Sequence, residues 1–327
     1  SNLSGEKEYT FDEMINYKEG DRGFKVKAED TYGYITISTL PVTYKTIPGP
    51  SLTLTESTIF AGTDVKKGVS MQIESVRGVH EVVIYRIENG SEVEALRETR
   101  SGEHTLNYAP EIDFTEATSK LKVVVSDGRE GKEATGYVKA YVNMDVATLN
   151  VGSQPLANNA HEKYPDAFGM VSLNDLKTYS VDYAIANEAN AKNIDFKFYC
   201  FGAAGSPRLY SMDNTGKDSE FSGSTGKLSA IKVKNLTRFA ILSNFDYENA
   251  TVTSISSEIL SSSITQSLLD PIAVGNIIAF RTGGSSAAGG GRIGVMKVIN
   301  ITEPKDLVSS NATARVMTVE IKFPQKK

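Results

Sequence analysis

Residues 101–142, SGEHTLNYAPEIDFTEATSKLKVVVSDGREGKEATGYVKAYV, repeat residues 4–45, SGEKEYTFDEMINYKEGDRGFKVKAEDTYGYITISTLPVTYK, at an offset of 97 positions. The two stretches share nine identical residues over 42 positions aligned without a gap, where composition alone gives roughly two or three. A repeat of about 100 residues has the length of one β-sandwich domain and is much longer than a solenoid unit. The chain is therefore predicted to be a series of modules, mainly β in fold class.

The repeat and one linker set the predicted domain boundaries. Pro48-Gly49-Pro50 separates the copies, because proline fixes the backbone and cannot donate a hydrogen bond to a sheet. Residues 1–46 read as a loop and a β-hairpin, in which apolar and charged residues alternate over 24–28. Two or three strands cannot close a sandwich, so residues 1–46 are predicted to be the C-terminal half of an immunoglobulin-like domain whose first half is missing. The alternative is that the neighbouring domain covers Phe24, Val26 and Ile37.

Residues 50–144 are predicted to form a complete immunoglobulin-like β-sandwich. Turn signals separate seven short strand candidates: Leu52–Thr55, Val69–Glu74, Glu81–Ile87, Glu94–Arg97, Thr105–Tyr108, Leu121–Val125 and Gly136–Val142. The stretch has no Cys and no Trp, so it must form without the disulfide and packed indole of antibody domains.

Residues 147–327 are predicted to form an α+β C-terminal presenting domain. Helices are expected over 181–191 and over 254–269, where apolar residues share one face and Pro271 follows. Strands are expected over Ala147–Val151, Phe168–Ser172, Ile194–Phe201, Phe239–Leu242, Ile277–Thr282, Ile293–Ile301 and Arg315–Phe323.

Charge and composition argue against several classes of function. Residues 1–150 hold 17 Lys/Arg and 24 Asp/Glu, and residues 151–327 hold 18 and 16, so neither part has the dense positive charge of a nucleic-acid surface. The sequence contains no run of 18 apolar residues, so no transmembrane segment is predicted. The single cysteine, Cys200, lies in an apolar run and is predicted to be a buried core thiol.

No catalytic, metal-binding or cofactor-binding motif is complete, so no metal, cofactor or enzyme activity is expected. The three histidines, His80, His104 and His161, stand apart and give no zinc spacing and no base beside Cys200. Gly289–Gly294 matches a dinucleotide fingerprint in letters, but β-rich sequence follows it, which favours a flexible hairpin loop. Asp213–Glu220 lacks calcium-loop spacing and is predicted to be a polar surface turn.

The alternative of a glycoside hydrolase stays open, because its two carboxylates need not be near each other in sequence. Asp182, Asp195, Asp213 and Asp246 are available in the C-terminal domain. Asp195, inside an apolar run, is the most unusual of them. We favour a buried, hydrogen-bonded structural role for it over catalysis.

A sugar site would need an aromatic platform, and the chain has no Trp but 15 Tyr and 13 Phe. Tyr210, with Arg208 before it and Asp213 after it, is the best local candidate for a ligand-binding site. The competing interpretation places the Tyr210 ring in the core at the end of a strand.

Three passages of the C-terminal domain resemble uncharacterised cell-surface lipoproteins of Bacteroidetes, whose immunoglobulin-like repeats carry a terminal domain outward. They are SVDYAIANEANAKN leading into IDFKFY (180–199), NLTRF (235–239), and GNIIAFRT with RIGVMKVINI and VMTVEIKF (275–323). The resemblance implies extracytoplasmic display at the cell surface, with a lipid anchor upstream of Ser1 by analogy. It implies a non-catalytic binding or adhesion protein, with a surface glycan or a protein as partner. A purely structural part in a surface complex is the remaining alternative.

Overall fold

The computed structural model describes residues 10, 21–42, 46–202 and 205–326. These residues form a mainly β, multidomain architecture of several antiparallel sheets with three short α-helices. The first two strands, β1 (Gly23–Glu29) and β2 (Ile35–Pro41), form a hairpin that pairs with no other described strand. Residues 4–9, 11–20 and 43–45 of the first repeat lie outside the described residues.

Residues 51–142 form two facing sheets, and all seven strands predicted for this region are confirmed. A sheet of order β3-β6-β9 packs against one of order β4-β12-β11-β7-β8, and only the β4–β12 pair is parallel. Two-residue strands β5 and β10 pair separately. The strands are β3 (Ser51–Leu54), β4 (Thr58–Ala61), β5 (Lys67–Gly68), β6 (Met71–Glu74), β7 (Glu81–Glu88), β8 (Ser91–Thr99), β9 (Thr105–Tyr108), β10 (Glu111–Ile112), β11 (Thr118–Ser126) and β12 (Glu133–Val142). The immunoglobulin-like assignment stays a prediction.

The hairpin β1–β2 occupies the place in the first repeat that β11–β12 occupies in the second. Phe24 pairs with Leu40, and Leu121 pairs with Val138, so the two turns differ in length by one residue. The alignment of the repeats therefore needs a one-residue gap in the turn, which places Leu40 on Val138. Val138 is buried in the second copy, whereas Leu40 is 53% exposed in the first.

The C-terminal domain is built on two five-stranded sheets. Their orders are β13-β22-β21-β20-β18 and β15-β14-β16-β17-β19, with every pair antiparallel. The elements are β13 (Met144–Gly152), β14 (Met170–Ser172), β15 (Lys177–Tyr179), α1 (Val181–Ala186), α2 (Glu188–Lys192), β16 (Phe196–Phe201), β17 (Ser206–Ser211), β18 (Arg238–Leu242), α3 (Val252–Glu258), β19 (Leu268–Leu269), β20 (Ile277–Arg281), β21 (Ile293–Ile301) and β22 (Val316–Pro324). The strands predicted in this region are confirmed to within a few residues.

Four apolar clusters hold this domain together, and the three largest cover the faces of its two sheets. The central cluster, with Phe196, Phe280 and Val319, lies between the two sheets. A second cluster lies on the outer face of the β16 sheet under α1, α2 and two short 3₁₀ segments. A third lies on the outer face of the β21 sheet and includes Ile255 of α3 and Tyr141 of the preceding domain. Both sheets are therefore covered on both faces.

The helix predicted over 254–269 is wrong. Helix α3 ends at Glu258, residues 261–263 form one 3₁₀ turn, and β19 follows. The three serines at 261–263 compete with helix formation by hydrogen-bonding locally. Leu269 instead pairs with Leu209 and is buried between the sheets. The helix predicted over 181–191 forms in two pieces, because Asn187 is extended and caps α2 by accepting from Asn190 N.

The glycine tract 283–291 connects β20 and β21 as a hairpin loop, but buried side chains hold it and it is not the free loop that the sequence suggested. Asp195 is fully buried and accepts from Ser286 Oγ at 2.6 Å and from Leu173 N at 2.8 Å. Asn235 donates to two main-chain carbonyls and accepts from Ser285 Oγ at 2.7 Å. The structural role expected for Asp195 therefore has a specific form, which is to dock this loop on the sheet.

Burial raises the pKa of Asp195 to about 7, which makes a prediction about stability. The folded state keeps this proton up to about pH 7, while the unfolded chain loses it near pH 4. The contribution of Asp195 to the free energy of unfolding should therefore fall as pH rises from 4 to 7, by up to about 4 kcal/mol. Urea unfolding across this range should show that slope in the wild type and not in Asp195→Asn.

Asp182→Asn is the matched control for this experiment. The pKa of Asp182 is held low by hydrogen bonds from Ser224 and Thr225, so its contribution should be lost as pH falls. A slope that survives in Asp195→Asn would show that the titration belongs to another group.

Candidate functional site

The structure does not bring Tyr210, Arg208 and Asp213 together as a sugar site. Tyr210 is 4% exposed, and its ring packs in the apolar cluster at an edge-on angle to Tyr199. Arg208 pairs with Asp270 at 2.9 Å. The competing interpretation, a core ring, is the one that the structure bears out.

Asp213 is likewise committed within the fold. Both of its carboxylate oxygens accept from Arg238, at 2.9 and 2.8 Å, and Ser211 Oγ donates to it as well. This pairing ties the start of β18 to the end of β17. None of the three side chains offers the free face that a ligand needs.

The other carboxylates that could serve glycoside hydrolysis differ in how accessible they are. Asp195 is enclosed in the core, and Asp182 accepts four hydrogen bonds from residues 224 and 225 and another from Asn158. Asp246 differs, because it lies in an open cleft and accepts its hydrogen bonds from Asn249 and the Glu248 backbone of the same loop.

Cysteine and histidine do not form a catalytic group in the part of the chain that the structure describes. Cys200 is buried between the sheets, and burial raises the pKa of its thiol to about 12. His104 and His161 contact main-chain carbonyls, Ser75 O at 3.0 Å and Leu307 O at 2.8 Å. Over the described ranges, no three of His, Cys, Asp and Glu converge as metal ligands.

A cleft of about 280 Å³ lies between the second domain and the C-terminal domain. One wall is formed by β11 and β12 together with the β7–β8 hairpin, and the other is the loop after β18. Its lining residues are Ile87, Gly90, Glu92, Ser119, Lys120, Tyr137, Asp246 and Asn249. The volume is close to the lower end for small-molecule sites, which suits a short segment of a larger ligand.

Tyr137 is the aromatic surface of this cleft. On β12 the inward positions carry Val138 and Ala140, so Tyr137 points outward, and 56% of it is exposed. The Lys120 ammonium lies 5.8 Å from the centre of its ring. Tyr85 with Lys122 repeats the combination on the neighbouring strands, at 5.7 Å. The sheet therefore presents tyrosine rings and lysine ammonium groups side by side.

The opposite wall supplies oxygen and amide groups. Asn249 donates to both carboxylate oxygens of Asp246, from its main chain at 3.2 Å and its side chain at 2.8 Å. These hydrogen bonds lower the pKa of Asp246, so it is a carboxylate at neutral pH. Lys120 forms no ion pair with any described residue, whereas Lys122 is paired with Glu92 at 2.8 Å. A ligand thus meets the Lys120 ammonium, the carboxylates of Asp246 and Glu92, and one open ring.

The relative position of the two walls is fixed at Asn143, the one residue between β12 and β13. Its backbone φ is 50°, a left-handed conformation that Asn adopts more readily than most residues. Its side chain donates to Thr63 Oγ1 at 3.2 Å and to Glu116 Oε1 at 3.0 Å. Its carbonyl accepts from Gln325 N at 2.7 Å.

A wider depression lies beside the linker, and it is a weaker candidate. Its volume is about 520 Å³, and it is open to solvent. It has no Tyr or Phe ring in its lining, which consists of Pro48, Gly49, Ser51, Glu74, Ser75, Val76, His104 and Thr105.

Sequence reasoning missed Tyr137, although a signal was present. Tyr137, Lys139 and Tyr141 alternate with the apolar residues of a predicted strand, which places all three on its outer face. What the alternation cannot show is that the loop containing Asp246, more than 100 positions later, lies against that face.

No protein-family model matches the chain, and no curated protein sequence matches it either. Among solved structures, the chain is similar to Escherichia coli alpha-2-macroglobulin activated by porcine elastase, with 8% sequence identity and a TM-score of 0.22. The match covers 93% of this chain and 24% of that one. A likeness this distant carries no argument about site or function.

Within the described residues, no helix is both long and apolar enough to cross a bilayer.

The placement of the two tyrosines makes opposite predictions for stability. Tyr210→Ala removes a core ring and should lower the free energy of unfolding by about 3–5 kcal/mol. Tyr137→Ala removes an exposed ring and should change it by less than about 1 kcal/mol. Urea denaturation of both variants tests this, and a similar loss for the two would contradict the placement.

Proposed function

We propose that this protein is a non-catalytic binding protein, exported and displayed at the cell surface, and that it binds carbohydrate in the cleft between its second and C-terminal domains. The observation that carries the proposal is the open ring of Tyr137 with polar groups of both signs around it. Sugar rings have apolar faces that stack on aromatic rings and hydroxyl groups that both donate and accept.

The cleft chemistry favours a neutral sugar over a strongly charged one. Lys120 donates hydrogen bonds, the Asp246 carboxylate accepts them, and the Asn249 amide can do either. A hydroxyl group satisfies both kinds of partner. A polyanion would meet Asp246 and Glu92, and a polycation would meet Lys120, so either would gain little net attraction.

The modular architecture supports a display role. The repeat predicts sandwich modules in series, and the cleft lies where the second of them meets the C-terminal domain. The hairpin β1–β2 contributes no residue to its lining. In this proposal the earlier modules are spacers, and a lipid anchor upstream of Ser1 would hold them to the membrane.

A glycan array probed with the whole chain tests the proposal, because both domains contribute to the cleft. The wild type should bind neutral oligosaccharides. Tyr137→Ala should lower the affinity about tenfold or more, since stacking energy near 1.4 kcal/mol corresponds to tenfold. Tyr137→Phe keeps the ring and should bind nearly as well as the wild type.

Tyr32→Ala is the matched control, because Tyr32 is an exposed tyrosine on the β1–β2 turn, outside the cleft. Equal binding by Tyr137→Ala and the wild type would rule out this site. Absence of binding to every glycan would favour the alternatives, a protein ligand or a structural part in a surface complex.

The glycoside hydrolase alternative makes a separate prediction for the same cleft. Asp246 and Glu92 are the carboxylates that line it, so an enzyme would use this pair. Release of reducing ends from a neutral polysaccharide, lost in both Asp246→Asn and Glu92→Gln, would show catalysis. Binding without release is the expected result.

A further inference from the structure

Lys322 is an unusual residue at the domain junction. It lies on β22 between Val146 of β13 and Val295 of β21, on the face opposite the central core. Its side chain is completely buried. The apolar cluster around it joins the second domain to the C-terminal domain.

The partners of Lys322 are carbonyl groups and rings. Its ammonium donates to Tyr247 O and lies 3.4 Å from Glu248 O. It lies 4.2 Å from the ring centre of Tyr247 and 5.4 Å from that of Tyr141. In the described part of the chain no carboxylate forms an ion pair with it, so a buried charge here is only partly compensated.

These contacts bear directly on the cleft. Tyr247 and Glu248 stand between Asp246 and Asn249, the two residues that form the second wall. Tyr247 Oη also donates to Glu320 O at 2.7 Å, and Glu248 accepts from Lys297 at 2.6 Å. Residues 245–250 are therefore seated on β22 through the Lys322 amine and the Tyr247 hydroxyl group.

We propose that Lys322 is the positioning residue of the cleft: residues 245–250 close over its amine, so that closure of this wall and protonation of the amine are linked. The part of this inference that concerns ligand binding rests on the proposed function. The part that concerns closure of the loop does not.

The groups that face the amine set the direction of the linkage. Burial, followed by repulsion from Lys139 of β12, lowers the pKa of Lys322 to about 8, against smaller opposing effects of the nearby carboxylates. The charged and titratable groups around it are Lys139, Tyr141, Asp246, Tyr247, Glu248, Lys297 and Glu320.

An open loop would expose the amine to water and return its pKa to about 10.4. The closed form therefore binds fewer protons between about pH 8 and pH 10 and becomes more favourable as pH rises through this range. The neutral amine can still donate to the two carbonyl groups. Closure should thus strengthen from about pH 8 upward and be strongest above about pH 10.

The experiment compares the wild type with Lys322→Met at pH 6.5 and 9.5. Amide hydrogen exchange of residues 245–250 is measured in both proteins without ligand. Dividing the wild-type protection by that of the variant at each pH removes the intrinsic pH dependence of exchange. Affinity for a neutral oligosaccharide from the array is measured at the same two values. Lys297→Met is the control, because Lys297 contacts the same loop but is partly exposed.

Two quantities of the wild type are divided by those of Lys322→Met, the protection of the loop from exchange and the affinity for the oligosaccharide. We expect both ratios to rise by roughly threefold or more from pH 6.5 to 9.5. The ratios to Lys297→Met should not rise. Lys322→Arg keeps the positive charge at both pH values, so its loop should stay less protected at pH 9.5 than that of the wild type. This variant tests the inference even if Lys322→Met does not fold.

A protection ratio that does not change with pH would overturn the inference. Absence of glycan binding in the wild type, with a protection ratio that still rises, would overturn the proposed function while supporting the linkage of loop and amine. An affinity ratio that stays constant while protection changes would show that loop closure does not control the cleft, and would overturn the positioning role.

Discussion

The single-residue junction at Asn143 is the constraint on which the arrangement of the molecule depends. With one residue between β12 and β13, the last strand of one sandwich leads directly into the first strand of the next. The left-handed backbone turns the chain, and the side chain fixes the turn by bonding to Thr63 and Glu116. Flexible linkers leave neighbouring domains free to move, whereas here Tyr141 and Met144 share one apolar cluster with the C-terminal domain. A cleft made of groups from two domains needs such a fixed junction.

Many of the strands could be predicted from the sequence, because their apolar and polar residues alternate with period two. The pattern over 315–323 is an example, with Val319, Ile321 and Phe323 buried between the sheets. The helix over 254–269 could not be predicted correctly by the same means. Its apolar spacing fits a helix, but strand pairing of Leu269 with Leu209 outweighs the local pattern. The one-residue gap between the two repeats could not be predicted from the sequence either. Only the pairing register of each hairpin shows where the extra turn residue lies.

The candidate site was less predictable than the fold, and two tyrosines show why. Tyr210 and Tyr137 both lie on strands two positions from a basic residue, and local sequence does not separate them. Their difference comes from what covers each sheet face. Two 3₁₀ segments and α1 cover the face that carries Tyr210, whereas the face that carries Tyr137 is only bordered by the loop of Asp246. These are contacts between segments far apart in the chain, which periodicity cannot report.

Buried lysines explain how the segments that cover the outer faces of the two C-terminal sheets are fixed in one position. Lys197 lies on the outer face of the β16 sheet and bonds to Asp218 at 2.6 Å and to Asn214 O at 2.9 Å, in a turn that the sequence predicted to be a surface one. Lys322 does the same on the other sheet with two carbonyls of residues 245–250. Burial lowers the pKa of both amines, so neither is placed there for stability alone. An apolar residue would bind a covering segment through buried surface area alone, and several positions of the segment would be nearly equal in energy. A buried amine needs hydrogen bonds to specific oxygen atoms, which selects one position. The wall of the cleft is positioned by this second kind of contact, which is directional and can respond to a proton.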